Sequence, residues 1–175
     1  MSKKNDSKNN STIGYSGSVN VKVLNGTKIV SSTTKHNEGT QWFFQVLASS
    51  VIGNNERNNM PRYLDAFQRT GEEGSYIYTS ILSTKVALTS KSFRSYNEDD
   101  VYGVMASMTA IVPHKSILFE SDSSKTIDQL RIYSNDSSDD TLLAKVDLGD
   151  KAIEILSDSK NNIAIEWNML FKNVS

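Results

Sequence analysis

The chain of 175 residues has no cysteine, and proline and histidine occur only twice each. Without cysteine there is no disulfide staple, no thiol nucleophile and no thiolate metal site. Charge of one sign is missing too: 19 Lys and Arg against 20 Asp and Glu leave a formal charge of −1, with the two signs interspersed. That balance removes the electrostatic case for nucleic acid or an anionic membrane as the main partner. No apolar run approaches a transmembrane length. Lys3 and Lys4 are followed by Asn, Asp and Ser instead of an apolar stretch, so neither a membrane span nor a secretory signal is expected. No Gly-x-Ser-x-Gly, phosphate loop or dinucleotide fingerprint occurs. His36 and His114 stand in neither a His-x-His nor a His-Glu-x-x-His spacing, and each reads as structural, His36 at a helix start and His114 in a turn after Pro113.

What is present is period-two alternation broken by polar turns, over a length that suits one domain with one core. Val19, Val21 and Val23 face one way, Asn25-Gly26 reads as a hairpin turn, and Lys28 to Val30 returns. Ser31 to Thr34 reads as a polar lead into the segment that follows. Strands are expected after Pro61 through Phe67, then over 76–82 and 85–90, with Asn97 to Asp100 as an acidic turn. Residues 101–112 make the longest candidate, apolar on both faces and so expected to be doubly covered. Leu130 and Ile132, then Leu142, Ala144, Val146 and Leu148, then Ile153 and Ile155 continue the alternation. The cleanest pattern closes the chain, with Ile163, Ile165, Trp167, Met169 and Phe171 inward against Ala164, Glu166, Asn168 and Lys172 outward. Many short strands with polar turns predict an antiparallel β-sandwich or jelly-roll-like fold.

One stretch departs from this period. Over 35–51, Trp42, Phe43, Val46, Leu47 and Val51 share a helical face, with Thr40 as N-cap, Asn37 as its alternative and Gly53 as stop. A single packed helix over about 40–52 is therefore expected, its aromatic face closing the core that Trp167 and Phe171 line. Residues 1–17 are polar apart from Met1, Ile13 and Tyr15, which divides the chain into an extended N-terminal arm, 1–17, and a β-sandwich domain, 18–175. Such an arm has no core of its own, so Ile13 and Tyr15 are its candidate assembly contacts.

Candidate chemistry is sparse. Acidic turns at 97–100, from Asp122 onward and at 135–140 offer oxygen ligands of the kind calcium uses. They lack the spacing and glycine of a calcium loop, so solvated turn chemistry is the reading preferred. Glu154 and Glu166 both point outward and give no reason to be chosen as a glycosidase pair. Seven tyrosines (15, 63, 76, 78, 96, 102 and 133) suit protein interfaces or sugar stacking when exposed, and rims of a core otherwise. No catalytic, cofactor-binding or metal residue is assigned; Trp42, Phe43, Trp167 and Phe171 are assigned as fold determinants.

His36, Asn37, Glu38, Gly39 and Thr40 lead into the aromatic stretch and then to Pro61, Arg62, Tyr63 and Leu64. Near the end, 142–148 is followed by Ile163 to Asn173 with Trp167 and Phe171 at its centre. Taken in this order, from Val19 to Asn173, these pieces resemble structural proteins of tailed-bacteriophage virions. The resemblance implies a β-sandwich with one helix, acting as a non-enzymatic adaptor or decoration on tail, baseplate, collar or head fibre. It implies other virion proteins as partners, a homo-oligomer or ring, assembly in the bacterial cytoplasm, and no cofactor, nucleic acid or membrane. A lectin-like carbohydrate-binding sandwich, with a glycan receptor, is the alternative; it requires aromatics and carboxylates clustered on one exposed face.

Overall fold

A computed structural model of the chain describes residues 12–39, 60–98, 101–135 and 142–174. In these residues the strands run β1 (Thr12–Asn25), β2 (Lys28–Gly39), β3 (Tyr63–Thr70), β4 (Ile77–Ser80), β5 (Val86–Ala87), β6 (Ser90–Glu98) and β7 (Val101–Val112). They continue as β8 (Ser124–Ile127), β9 (Gln129–Tyr133), β10 (Leu142–Asp147), β11 (Ile153–Leu156) and β12 (Asn162–Val174). Every pairing among them is antiparallel, and the architecture is the expected mainly β, sandwich-like one.

One layer has the order β2-β1-β12-β7-β6 and the other β4-β3-β9-β10. They touch through β10 and β2 only at Ala144↔Gly39 and Lys145↔Glu38, a corner between the two layers. A separate ladder pairs β11 with β8. Between the layers, Val19, Val21, Met108, Ala110, Ile163, Ile165 and Trp167 meet Leu64, Ala66, Leu130, Ile132, Ala144 and Val146 in one buried cluster, with Ile127, Leu148, Ile153 and Ile155 from the smaller ladder. The alternation read from β12 holds: Ile163, Ile165, Trp167 and Met169 are buried and Phe171 is partly buried against the core.

Several expectations change. The strand begins at Thr12, so residues 12–17 of the expected arm are part of the sheet, paired with Met169 to Val174. Main-chain pairing needs no apolar composition, which is why the polar stretch hid it. Ser31 to Thr34 are strand as well, and β2 continues through Gly39, which excludes Asn37 as a helix N-cap. The hairpin turn falls one residue later than read: Asn25 pairs with Lys28, and Gly26 takes the first turn position at φ +61°, a conformation glycine adopts without a Cβ penalty. Strand β6 continues past Ser90 and takes in Asn97 and Glu98 of the expected acidic turn, and β8 is a strand that no alternation announces, since only Ile127 is buried there. Strand β7 is covered on one face only: Ala106, Met108, Ala110 and Val112 are buried, whereas Ile111 behind and Tyr102 and Val104 at the far end are exposed. The expected helix over 40–52, with Trp42 and Phe43, lies outside the described residues, as do Asp99, Asp100 and Asp136 to Asp140 of the acidic turns.

Gly103 shows how tightly β7 lies on β12: a Cβ there would run into the carbonyl oxygen of Phe171 and the Cα of Lys172. Trp167 is fully buried, between Val19 of β1 and Met108 of β7. Its Nε1 has no hydrogen-bond partner among the described residues, so apolar burial and packing hold the ring. Trp167→Ala therefore lowers stability by about 3–5 kcal/mol, read as a shifted midpoint in urea; a loss below about 1 kcal/mol would contradict this placement.

Candidate functional site

Consecutive residues, not alternate ones, line a recess between β2 and β11. Val30 to Thr34 form one wall and Lys151 to Leu156 the other, with Val23, Ser159 and Asn161, around an open volume of about 610 Å³. A groove lined this way runs along the edges of two strands. Over this length β2 pairs only with β1, and β11 pairs only with β8. Among the described residues, neither edge has a strand on its groove side. Val23, Ile153 and Ile155 are buried and make the floor, while Val30 and Leu156 stand half exposed at the lips. Val30 is also the extra residue where the β1–β2 register shifts.

One end is bridged by lysines. Lys151 Nζ donates to the Thr34 carbonyl at 3.2 Å. Lys35 Nζ donates to Asp150 Oδ1 at 3.1 Å, and this bond and its charge hold the exposed Asp150 carboxyl below the usual carboxylate range. What the groove offers is a row of main-chain groups on each side over an apolar floor, the surface to which an extended segment adds as a strand. Glu154 is the one carboxylate among the described lining residues.

A second cluster occupies the outer face of the β4-β3-β9-β10 layer. Gln129 Nε2 and Tyr78 Oη both donate to Asp147 Oδ1, at 2.7 and 2.9 Å, and Arg131 Nε donates to Gln129 Oε1. The Arg131 guanidinium stands 4.0 Å from the Phe67 ring centre and 5.7 Å from that of Tyr78. Arg69 lies 4.3 Å from the ring of Tyr76 and pairs with Asp128 at 3.9 Å. Lys85 covers Tyr133 at 3.9 Å. Stacked cations explain how Phe67 and Tyr133 are buried on a face that is otherwise polar. Asp65, also buried, accepts from the Ala66 N–H at 2.8 Å and from Ser80 Oγ at 2.7 Å.

Of the residues singled out in the sequence, Tyr15 and Phe171 come together, directly opposed in the β1–β12 ladder with ring centres 5.6 Å apart. Tyr15 thus packs within its own chain, and Ile13 pairs with Asn173. His36 Nδ1 lies 3.4 Å from the Gly17 carbonyl, within β2 instead of at a helix start. His114 Nε2 donates to the Leu156 carbonyl at 3.1 Å, and its ring stacks on Phe119. Glu154 lines the groove, whereas Glu166 on β12 pairs with Lys22 at 3.7 Å. Asp122 is engaged by Lys125, and no three His, Cys, Asp or Glu gather as a metal site among the described residues. The groove was missed because Ser31 to Thr34 carry no apolar signal. Its one sequence clue is the β-branched pair Thr33-Thr34, which suits a strand.

No protein-family model matches this chain, and no match was found among curated proteins or solved structures.

Burial first, then the hydrogen bond to Asp147, holds the Tyr78 phenol above its ordinary value of 10.0. A folded pKa above the unfolded one contributes stability that is complete below the unfolded value and is lost as pH rises through the folded one. The folded chain therefore loses stability above about pH 10 more steeply than Tyr78→Phe does. Urea titrations across this range check it; parallel curves for the two proteins would show that the phenol contributes nothing.

Proposed function

We propose that this protein is a non-enzymatic structural component of a bacteriophage virion, an adaptor or decoration protein. It docks through its N-terminal arm on neighbouring subunits of the tail, collar or capsid. The observation that carries the reading is the groove between β2 and β11, where two strand edges without partners among the described residues face each other. An extended segment laid there bonds to main chain on both sides, which asks for no activated side chain. Ser, Thr and Asn line the groove, and residues 1–11 are Ser-, Asn- and Lys-rich. The arm of one copy therefore suits the groove of the next in polarity. The sequence resemblance over 19–173 supports the virion context.

A second reading, a carbohydrate-binding module, is favoured by one observation. Tyr76 and Tyr78 share one outer face with Arg69, Asp128 and Asp147, the clustering a glycan site requires. A glycan array probed with the intact chain and with Tyr76→Ala separates the readings: binding that Tyr76→Ala abolishes favours the lectin.

The test takes its truncation points from the start of strand β1 at Thr12. Removing residues 1–11 leaves the β1–β12 ladder whole, so unfolding is unchanged while incorporation into particles is lost. Removing residues 1–17 also strips Tyr15 from Phe171 and costs more than about 2 kcal/mol. Leu156→Lys, at the groove lip, lowers incorporation without unfolding the chain. Normal incorporation of the chain lacking residues 1–11 would overturn the arm's role.

A further inference from the structure

The two ends of the strand path differ. At one end β4 is four residues long, short as exposed edges usually are. At the other, β6 pairs with β7 over nine residues, Ser90 to Glu98, with no shift of register. No strand lies beyond it among the described residues. It contains no proline, so its outward main-chain groups form an edge about 30 Å long. Neither proline, bulge nor brevity blunts this edge; the one charge on its core-side face is Lys91, opposite the buried Met108.

Apolar surface adjoins it. Phe93 is 78% exposed, Tyr102 61% and Val104 46%. The register puts Phe93 opposite Ala106, Ser95 opposite Val104 and Asn97 opposite Tyr102. All therefore share the face on which Val104 meets Phe171 and Ala106 meets Met169. This is the core face of the long layer, carried outward to the edge, where no strand of the second layer lies over it among the described residues. Charge is distributed unevenly along the strand. Lys91 lies near its start, Arg94 at its midpoint, and Glu98 ends it, followed in sequence by Asp99 and Asp100.

We propose that β6 pairs antiparallel with β6 of a second copy of this chain, about a two-fold axis perpendicular to the sheet. Antiparallel pairing carries Lys91 of each strand toward the acidic end of the other, whereas in-register parallel pairing would set Lys91 against Lys91 and Glu98 against Glu98. The axis keeps corresponding faces on the same side. The two Phe93, Val104 and Tyr102 strips then join into one apolar surface across the seam. This contact uses neither the groove nor residues 1–11, so deleting the arm leaves it intact and the two proposals fail separately.

The absence of cysteine makes the test clean. Light scattering on the full chain is expected to give a dimer, and Ser95→Cys a covalent one on oxidation. Thr79→Cys on β4 is expected to give none. Phe93→Lys weakens the dimer at least ~10-fold with an unchanged circular dichroism spectrum. Charge exchange gives the sharpest reading. Lys91→Glu with Arg94→Glu, and separately Glu98→Lys with Asp99→Lys and Asp100→Lys, each give monomers that form a heterodimer when mixed. A dimer indifferent to all these changes would overturn the proposal. So would a monomer in which Phe93→Lys lowers the melting temperature, which would put a segment of the same chain on this face.

Discussion

Everything in the fold depends on the ladder that places β12 between β1 and β7. Across it run the rows Tyr15–Phe171–Val104, Val19–Trp167–Met108, Val21–Ile165–Ala110 and Val23–Ile163–Val112. Each row brings together side chains from both ends of the sequence and from its middle. The described chain cannot form its long layer until its most distant segments meet. Contacts of this range carry the loop-closure cost that makes all-β topologies slow to fold. In return, the central strand has both edges paired and its Trp167 ring enclosed, so the strongest apolar burial sits where hydrogen bonding is most complete.

The opposing layer is built of shorter strands, and this mismatch leaves the surfaces with functional interest. Where the long layer's core face runs on past its cover, Phe93, Val104 and Tyr102 meet solvent. Where β10 reaches β2 only at the corner, the rest of the β2 edge is left facing β11 across the groove. Both surfaces present main-chain edges beside apolar area. Recognition of this kind reads shape and backbone, which fits a chain in which both histidines lie against main-chain carbonyls and Glu166, Asp150 and Asp128 pair with Lys22, Lys35 and Arg69.

Legibility in the sequence followed burial. Strands β7 and β12 were readable to the residue or nearly so, because one face of each is a run of large apolar side chains closed by Pro113 or by polar turns. Strand β10 was readable apart from its bulge, where the register slips between Leu142 and Ala144 and Leu143 is buried as well. Strands β6 and β8 and the second half of β2 were not readable. Ser31 and Thr33 oppose the buried Val23 and Val21, yet they line the groove, so no apolar residue is demanded of them. Phe67 and Tyr133 were misleading for the opposite reason, buried on an outer face by Arg131 and Lys85. Nothing in local patterning announces a cation arriving from a neighbouring strand or loop.

By itself, then, the sequence determined that this is a mainly antiparallel β chain with its core on the Trp167 face. Period-two alternation is a property of each strand alone and needs no partner to be visible. It also determined that no thiol chemistry is available, since that follows from composition. Only the tertiary structure decided that Thr12 to Gly17 belong to the sheet, that β2 and β11 leave a groove between them, and that β6 has no strand beyond it among the described residues. Those are facts about which strand ends beside which, set by long-range pairing that no single segment encodes.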